Sequence, residues 1–226
     1  MFKIPKNKKI IFFCAHPDDD AFSSGALIYK LTRNKNKIYC IYLTISSRSV
    51  KRDIPNEEKI KIRKNEAEKS CKILGTRAIF LDLDKPRLKI NEENVGKVIK
   101  ILKKERPDII FLPIKNDLHP THRKVNSIVM KATEFAIIKQ KIFYEAWTPI
   151  QKPNFIFFFD KKIMKIKIKA MKQHKSQIER LDYSKAIVAL NIFRGIMGQE
   201  LLGGFAKTYN QEKFGEAYLV IDSYKS

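Results

Sequence analysis

Short apolar runs alternate with helix-patterned segments along most of this chain, and that alternation restricts the fold more than any other feature. The runs are Lys9–Ala15, Lys37–Ile45, Ala78–Leu83, Asp108–Pro113, Lys141–Trp147 and Phe155–Asp160. Between them, Val95, Val98, Ile99 and Leu102 recur at helical spacing, as do Val125, Ile128, Val129 and Ala132. Asn56 and Asn91 stand where N-caps belong, and Gly75 stands where a helix would stop. Strand–helix alternation of this kind predicts an α/β fold, Rossmann-like, with a mostly parallel sheet covered by helices on both faces. No internal repeat or low-complexity linker divides the 226 residues, so residues 1–226 are expected to form a single domain. After Phe155–Asp160 the pattern is less regular. Lys161–Lys175 alternates basic and apolar residues, which suits a surface helix with solvated lysines; a weak association with a membrane surface is the other reading.

Composition narrows the function classes. Hydrophobic residues make up 44%, ordinary for a globular protein and too many for disorder. Lys and Arg outnumber Asp and Glu by 46 to 24, a formal charge of +22. Such a charge attracts anionic partners. The basic residues are nevertheless spread along the whole chain, as a compositional bias would spread them, and no aromatic–basic module for nucleic acid is present. No specific nucleic-acid partner is expected. Cys14, Cys40 and Cys71 form no C-x-x-C pair and lie in apolar or helical patterns, so free buried thiols are expected. The apolar run after the basic start is too short for a signal-peptide core, and no run reaches the length of a membrane span. A cytoplasmic protein is the expectation.

Two clusters carry chemistry, each directly after a strand-like run. One is Ala15–Asp20, A-H-P-D-D-D; the other is Asn116–Arg123, N-D-L-H-P-T-H-R. In an open parallel sheet, ligands bind beyond the carboxyl ends of the strands, where the strand order reverses. If the first and fourth strands are neighbours there, the clusters face one crevice. The residue types suit a catalytic zinc site, which takes three protein ligands from His, Asp and Glu and leaves one position for water. His16 and Asp19 are three apart across a proline-bearing turn, and His122 can complete the set. Asp18 is then left beside the metal as a candidate general base, and His119 as a residue able to polarise a carbonyl or protonate a leaving amine. A metal-free explanation exists for each cluster singly. Aspartates suit a helix N-terminus, and Thr121 would cap a helix starting at His122. Arg63 shares a stripe with Ile60, Ala67, Cys71 and Leu74 and is therefore predicted to point inward, either into an internal salt bridge or toward substrate.

These residues resemble the PIG-L/LmbE-like family of zinc-dependent N-acetylglucosaminyl deacetylases. AHPDDD is similar to the family's AHPDDE, and HPTHR to its HPDH element. Between them IRKNEAEKSCKILG, and after them KAMKQHKSQ and FGEAY, resemble further family stretches in the family's order. The resemblance implies His16, Asp19 and His122 as Zn2+ ligands, Asp18 as base, and His119 as the residue that stabilises the oxyanion and helps the amine leave. It makes Arg63 a substrate contact, and it implies removal of an N-acetyl group from an N-acetylglucosamine-type sugar or glycoconjugate. Three positions depart from the pattern. Asp20 replaces Glu, Thr121 replaces the aspartate between the histidines, and Phe214 stands where a tyrosine is frequent. Two other functions fit the same residues: an amidase acting on another amide such as a sugar–thiol conjugate, and an inactive relative that binds anionic partners.

Overall fold

The structure is a computed structural model, and it describes residues 3–84, 87–205, 207–209 and 213–222. Among these, the predicted strands are all present. They are β1 (Lys9–Cys14), β2 (Lys37–Tyr42), β3 (Arg77–Phe80), β4 (Ile109–Pro113), β5 (Gln140–Tyr144) and β6 (Phe155–Phe159). A last strand, β7 (Phe214–Asp222), lies in the irregular final third. The helices are α1 (Asp19–Arg33), α2 (Asn56–Leu74), α3 (Glu92–Glu105), α4 (Pro120–Thr133), α5 (Lys161–Met171), α6 (Lys175–Ile178) and α7 (Tyr183–Gly203).

One sheet holds the seven strands in the order β3-β2-β1-β4-β5-β7-β6. The five from β3 to β5 are parallel, while β7 runs antiparallel to both β5 and β6. Parallel strands buried on both faces need continuous apolar runs, and KIIFFC and IIFLP supply them. Alternate residues feed two cores. Ile10, Phe12 and Phe111 face one side with α1 and α2, and Ile11, Phe13 and Ile110 face the other with α3 and α4. The chain proceeds from β1 outward to β3 and then returns to place β4 on the other flank of β1, in register Ile10↔Ile109. The switch point therefore lies between β1 and β4, and both clusters leave the sheet there.

Local signals set most helix ends. Asn91 caps α3, its side chain accepting from the Asn94 N–H, and Gly75 ends α2 at φ 79°. Asn56 is instead the first residue of α2, after Pro55. The start of α4 also differs from expectation. Pro120 occupies its first turn, and the cap is the ring of His119 rather than Thr121.

Helix α5 departs from the picture of a lysine-solvated surface helix at one residue. Lys167 is fully buried and pairs with Glu216 at 2.7 Å. Helix α1 kinks at Ser24, and the same Glu216 carboxylate accepts from the backbone N–H groups of Ala26 and Leu27 just beyond the kink. Glu216 belongs to FGEAY, so that stretch is a brace for α1. Helix α7 packs its backbone against β7: a Cβ added at Gly195 would lie 1.9 Å from the Lys213 carbonyl oxygen.

His174, in the turn before α6, is fully buried, and neither nitrogen of its ring has a hydrogen-bond partner among the described residues. Burial lowers its pKa to about 4, with Arg63 adding to the effect and Asp18 opposing it. An unfolded imidazole titrates near 6.5, so between about 6.5 and 4 the unfolded chain binds a proton that the folded chain refuses. Stability should fall as pH drops through that window, by up to about 3 kcal/mol from this residue. His174→Phe should flatten the decline when urea midpoints are followed from neutral pH to about 4. An unchanged slope would place the acid sensitivity elsewhere.

Candidate metal centre and active site

The carboxyl end of β1 runs into the turn His16–Pro17–Asp18, tightened by the Asp18 N–H donating to the His16 carbonyl at 2.8 Å. Asp19 then opens α1. Its Oδ2 accepts from the His16 N–H at 2.8 Å, which leaves Oδ1 facing away from the turn. From the other flank, β4 delivers Asp117, His119 and, in the first turn of α4, His122.

Three donor atoms converge. His16 Nδ1 lies 3.2 Å from His122 Nε2, Asp19 Oδ1 lies 3.3 Å from His122 Nε2, and His16 Nδ1 and Asp19 Oδ1 are 3.7 Å apart. A four-coordinate metal with His and carboxylate bonds of about 2.0–2.1 Å needs donor atoms about 3.3–3.4 Å apart. The triangle therefore has the dimensions of one tetrahedral face. The electrostatics agree. Burial would lower the His122 pKa, but Asp19 and Asp117 outweigh it and carry the value up to about 10. Burial would raise that of Asp19, yet His122 and His16 hold its carboxyl well below the usual carboxylate range. The cluster thus favours positive charge at its centre, and the spacing of these three residues would let them hold a metal.

Asp117, in the second cluster, has a role that its sequence position does not reveal. It is buried, and its Oδ1 faces His122 Nδ1 at 3.5 Å. The same carboxylate accepts from the His119 N–H at 2.8 Å and from the Trp147 N–H at 3.1 Å. A carboxylate behind a ligating histidine fixes which ring nitrogen points at the metal. Asp117 is placed to do this for His122, and it pins the loop that carries His119.

His119 sits beside His16, ring centroids 4.8 Å apart, and beside Trp147 at 5.8 Å. Its Nδ1 accepts from the Thr121 backbone N–H at 3.2 Å. An Nδ1 that accepts leaves the ring proton on Nε2. Burial lowers the His119 pKa to about 4, with His16 and His122 adding to the effect. Thr121 thus holds the ring through its backbone, and His119 presents a neutral N–H. The clusters also approach in a second combination, with His16, His119 and His122 all able to reach one ion.

Asp18 is half-buried, and its Oδ2 accepts from Arg63 Nη1 at 3.2 Å and Nη2 at 3.3 Å. Arg63 points inward, as its stripe predicts, and is 1% exposed. Its Nε donates to the Ile45 carbonyl at 3.3 Å. The guanidinium is thereby engaged by Asp18 and Ile45, an internal salt bridge at the wall of the cavity. Asp20 turns away from the cavity into the core near Cys40 and Cys71, where burial raises its pKa to about 6. All three cysteines are buried and free.

A cavity of about 400 Å3 opens over the triangle. His16, Asp18, Asp19, Arg63 and His119 form its polar floor, and Phe22, Trp147, Tyr183, Ile187 and Leu190 form an apolar wall. Phe214 does not reach it; that ring stacks on Phe159 at 5.8 Å. The phenol lining the cavity is Tyr183, whose ring meets Trp147 edge-on at 5.6 Å. Neither Trp147 nor Tyr183 is flagged by sequence spacing, because both reach the cavity from elements remote from the two clusters.

Residues 11–133 match the family model PIG-L, described as GlcNAc-PI de-N-acetylase. A diacetylchitobiose deacetylase of Thermococcus kodakarensis is 28% identical over 189 residues, covering 75% of this chain and 70% of that protein. The solved N,N'-diacetylchitobiose deacetylase of Pyrococcus horikoshii superposes with a TM-score of 0.80 at 22% identity, over 95% of this chain and 84% of that one. A 4-carboxy-2-hydroxymuconate hydratase of Pseudomonas putida has the same fold, with a TM-score of 0.79 at 14% identity over 97% and 98% of the two chains. Fold alone therefore does not select the reaction. The family model does, since its match runs from within β1 to the end of α4 and includes both polar clusters, more than half of the sequence: the chain belongs to the PIG-L family, the GlcNAc-PI de-N-acetylases, hydrolases of N-acetyl amides.

Proposed function

We propose that this chain is a zinc-dependent deacetylase that removes the N-acetyl group of an N-acetylglucosamine-type sugar or glycoconjugate. The observation that carries the proposal is the triangle of His16 Nδ1, Asp19 Oδ1 and His122 Nε2 at the floor of a cavity. These residues would hold the ion. Bound there, zinc supplies Lewis acidity, polarising a carbonyl and lowering the pKa of water to about 7.

The remaining residues divide the proton work. Asp18, held by Arg63 at the cavity floor, takes the proton of the water that attacks the acetyl carbonyl carbon. His119 is fixed by the Thr121 N–H so that its Nε2–H donates to the oxygen on which negative charge develops. When the C–N bond breaks, the proton held by Asp18 passes to the departing amine, giving acetate and a free amino sugar. Trp147 and Tyr183 offer ring faces and edges against which a sugar can stack, while keeping polar tips for hydrogen bonds. The names of the archaeal relatives support the sugar class, since both are diacetylchitobiose deacetylases.

The direct test measures metal content and acetate release from N-acetylglucosamine and diacetylchitobiose. Wild type should carry one zinc per chain and release acetate; His122→Ala should lose both while its thermal unfolding remains cooperative. Stoichiometric zinc in that variant would remove His122 from the ligand set.

Asp18→Asn keeps the shape but cannot accept a proton. It should retain zinc and lose about 10²–10⁴-fold in kcat, the range for a general base. Activity near that of wild type would send the proton to another group.

Arg63→Met separates the two readings of the arginine. Because the guanidinium holds Asp18, kcat should fall by about tenfold or more with KM little changed. A rise in KM at constant kcat would restore Arg63 to the role of a substrate contact.

A further inference from the structure

The loop that joins β5 to β6 carries Trp147, and a buried ion pair closes that loop at its base. Glu145 follows directly on β5, and its Oε2 accepts from the Ile150 N–H at 2.9 Å. Arg194, on the inward side of α7, donates from Nε to Glu145 Oε1 at 3.1 Å and from Nη2 to Oε2 at 2.7 Å. The same Nη2 reaches the Ile150 carbonyl at 2.7 Å. Glu145, Ile150 and Arg194 are all buried. The two ends of the loop are thus tied to each other and to one guanidinium, which leaves a closed span of short length between them. Ala146, Trp147 and Pro149 of that span line the cavity; Glu145 and Arg194 are not among its lining residues. Backbone packing fixes the arginine in turn. A Cβ added at Gly215 would lie 2.9 Å from the Arg194 carbonyl carbon, so helix and strand meet there in close contact.

We infer that Arg194 is a positioning residue for sugar binding: it fixes the base of this loop so that the Trp147 indole stands as a rigid platform for the sugar ring. The identity of the ligand as a sugar rests on the deacetylase reading above. The tip of the loop has anchors of its own, since the Trp147 N–H donates to Asp117 and Thr148 Oγ1 accepts from the Leu118 N–H at 2.7 Å. The indole is therefore held between the segment that carries His119 and helix α7. It meets Tyr183 edge-on and is 48% exposed, so part of the ring stays open to a ligand.

Rigidity matters because the C–H face of a sugar gains from an aromatic ring only when the ring lies along it. A ring on a loose loop must be ordered at each binding event, and that ordering is subtracted from the affinity. Arginine suits the task for a geometric reason. Its planar fork bonds both oxygens of Glu145 and the Ile150 carbonyl together, whereas a lysine brings the same charge on a single nitrogen. The groups assigned to the chemical step are held separately: Asp117 and the Thr121 N–H fix His119, and Arg63 holds Asp18. Loss of the guanidinium fork therefore weakens sugar binding and leaves those groups in place.

Trp147 is the only tryptophan of the chain, so its fluorescence reports on this loop alone. The test compares wild type, Arg194→Lys, Trp147→Ala and the double variant. In Arg194→Lys, acrylamide should quench the indole more strongly than in wild type, while thermal unfolding stays cooperative. KM for diacetylchitobiose should rise by at least about fivefold, with kcat within about twofold of wild type. Trp147→Ala should raise KM by a similar factor. Adding Arg194→Lys to it should change KM no further, because a residue that acts through the indole then has nothing to position. Equal quenching in Arg194→Lys and wild type overturns the inference. So does an unchanged KM in either single variant, or a double variant whose losses multiply. Breaking a buried ion pair is destabilising, so Glu145→Gln, which keeps the shape and an acceptor for the Ile150 N–H, replaces Arg194→Lys throughout if that variant does not unfold cooperatively. A wild type that releases no acetate removes the proposed reaction; the quenching is read without turnover and still decides whether Arg194 fixes the indole.

Discussion

The carboxylate of Glu216 holds together parts of the chain that otherwise have no reason to stay in register. It is buried, and it receives two backbone N–H groups of α1, the ammonium of Lys167 on α5 and the hydroxyl of Tyr218. A buried carboxylate is costly unless its oxygens are filled, and here four donors fill them. The kink at Ser24 makes α1 two segments, and the first of these carries Asp19. Bracing the second segment from β7 fixes the direction of the first. The Asp19 carboxylate is thus aimed by an interaction on the far side of the helix, nearly two hundred residues away in sequence.

Much of this was legible in the sequence. Continuous apolar runs followed by polar clusters mark parallel strands with functional ends, and β1 to β6 fall where those runs are. The two clusters meet because the strand order reverses between β1 and β4, a rule of topology rather than of local spacing. What escaped has a common physical cause. Strand β7 pairs antiparallel with two strands distant in sequence, and its FGEAY stretch alternates no more clearly than its neighbours. Lys167 reads as a solvated lysine because its partner, Glu216, lies 49 residues away. Asp117 could be seen in its cluster, but only coordinates show that one carboxylate faces His122 and also ties down two backbone N–H groups. Spacing alone allows Arg63 a salt bridge or a substrate contact and the family resemblance implies the contact, whereas the structure gives it Asp18 as a partner.

The histidine beside the metal centre illustrates how backbone can replace side chain. A carboxylate at position 121 would favour a charged imidazolium at His119. Thr121 offers a backbone N–H to Nδ1, which favours the neutral ring with its proton on Nε2. The two arrangements aim the same nitrogen at the cavity. They differ in charge, and so in how strongly the ring repels the nearby His16 and His122. A neutral donor is the arrangement that crowds a cationic centre least.

His16 and His122 are 106 positions apart, and the third donor, Asp19, lies with His16. During synthesis, a chain that has emerged only as far as α3 holds two of the three donors, too few to retain a metal firmly. The third arrives when β4 docks on β1 and α4 winds behind it. An ion held in the triangle, as proposed, would be a staple across the reversal of strand order, joining the winding that runs from β1 to β3 to the winding that begins at β4. Its loss would loosen the seam between those halves before it disturbed either half, so metal occupancy would report whether the central pair of strands has closed.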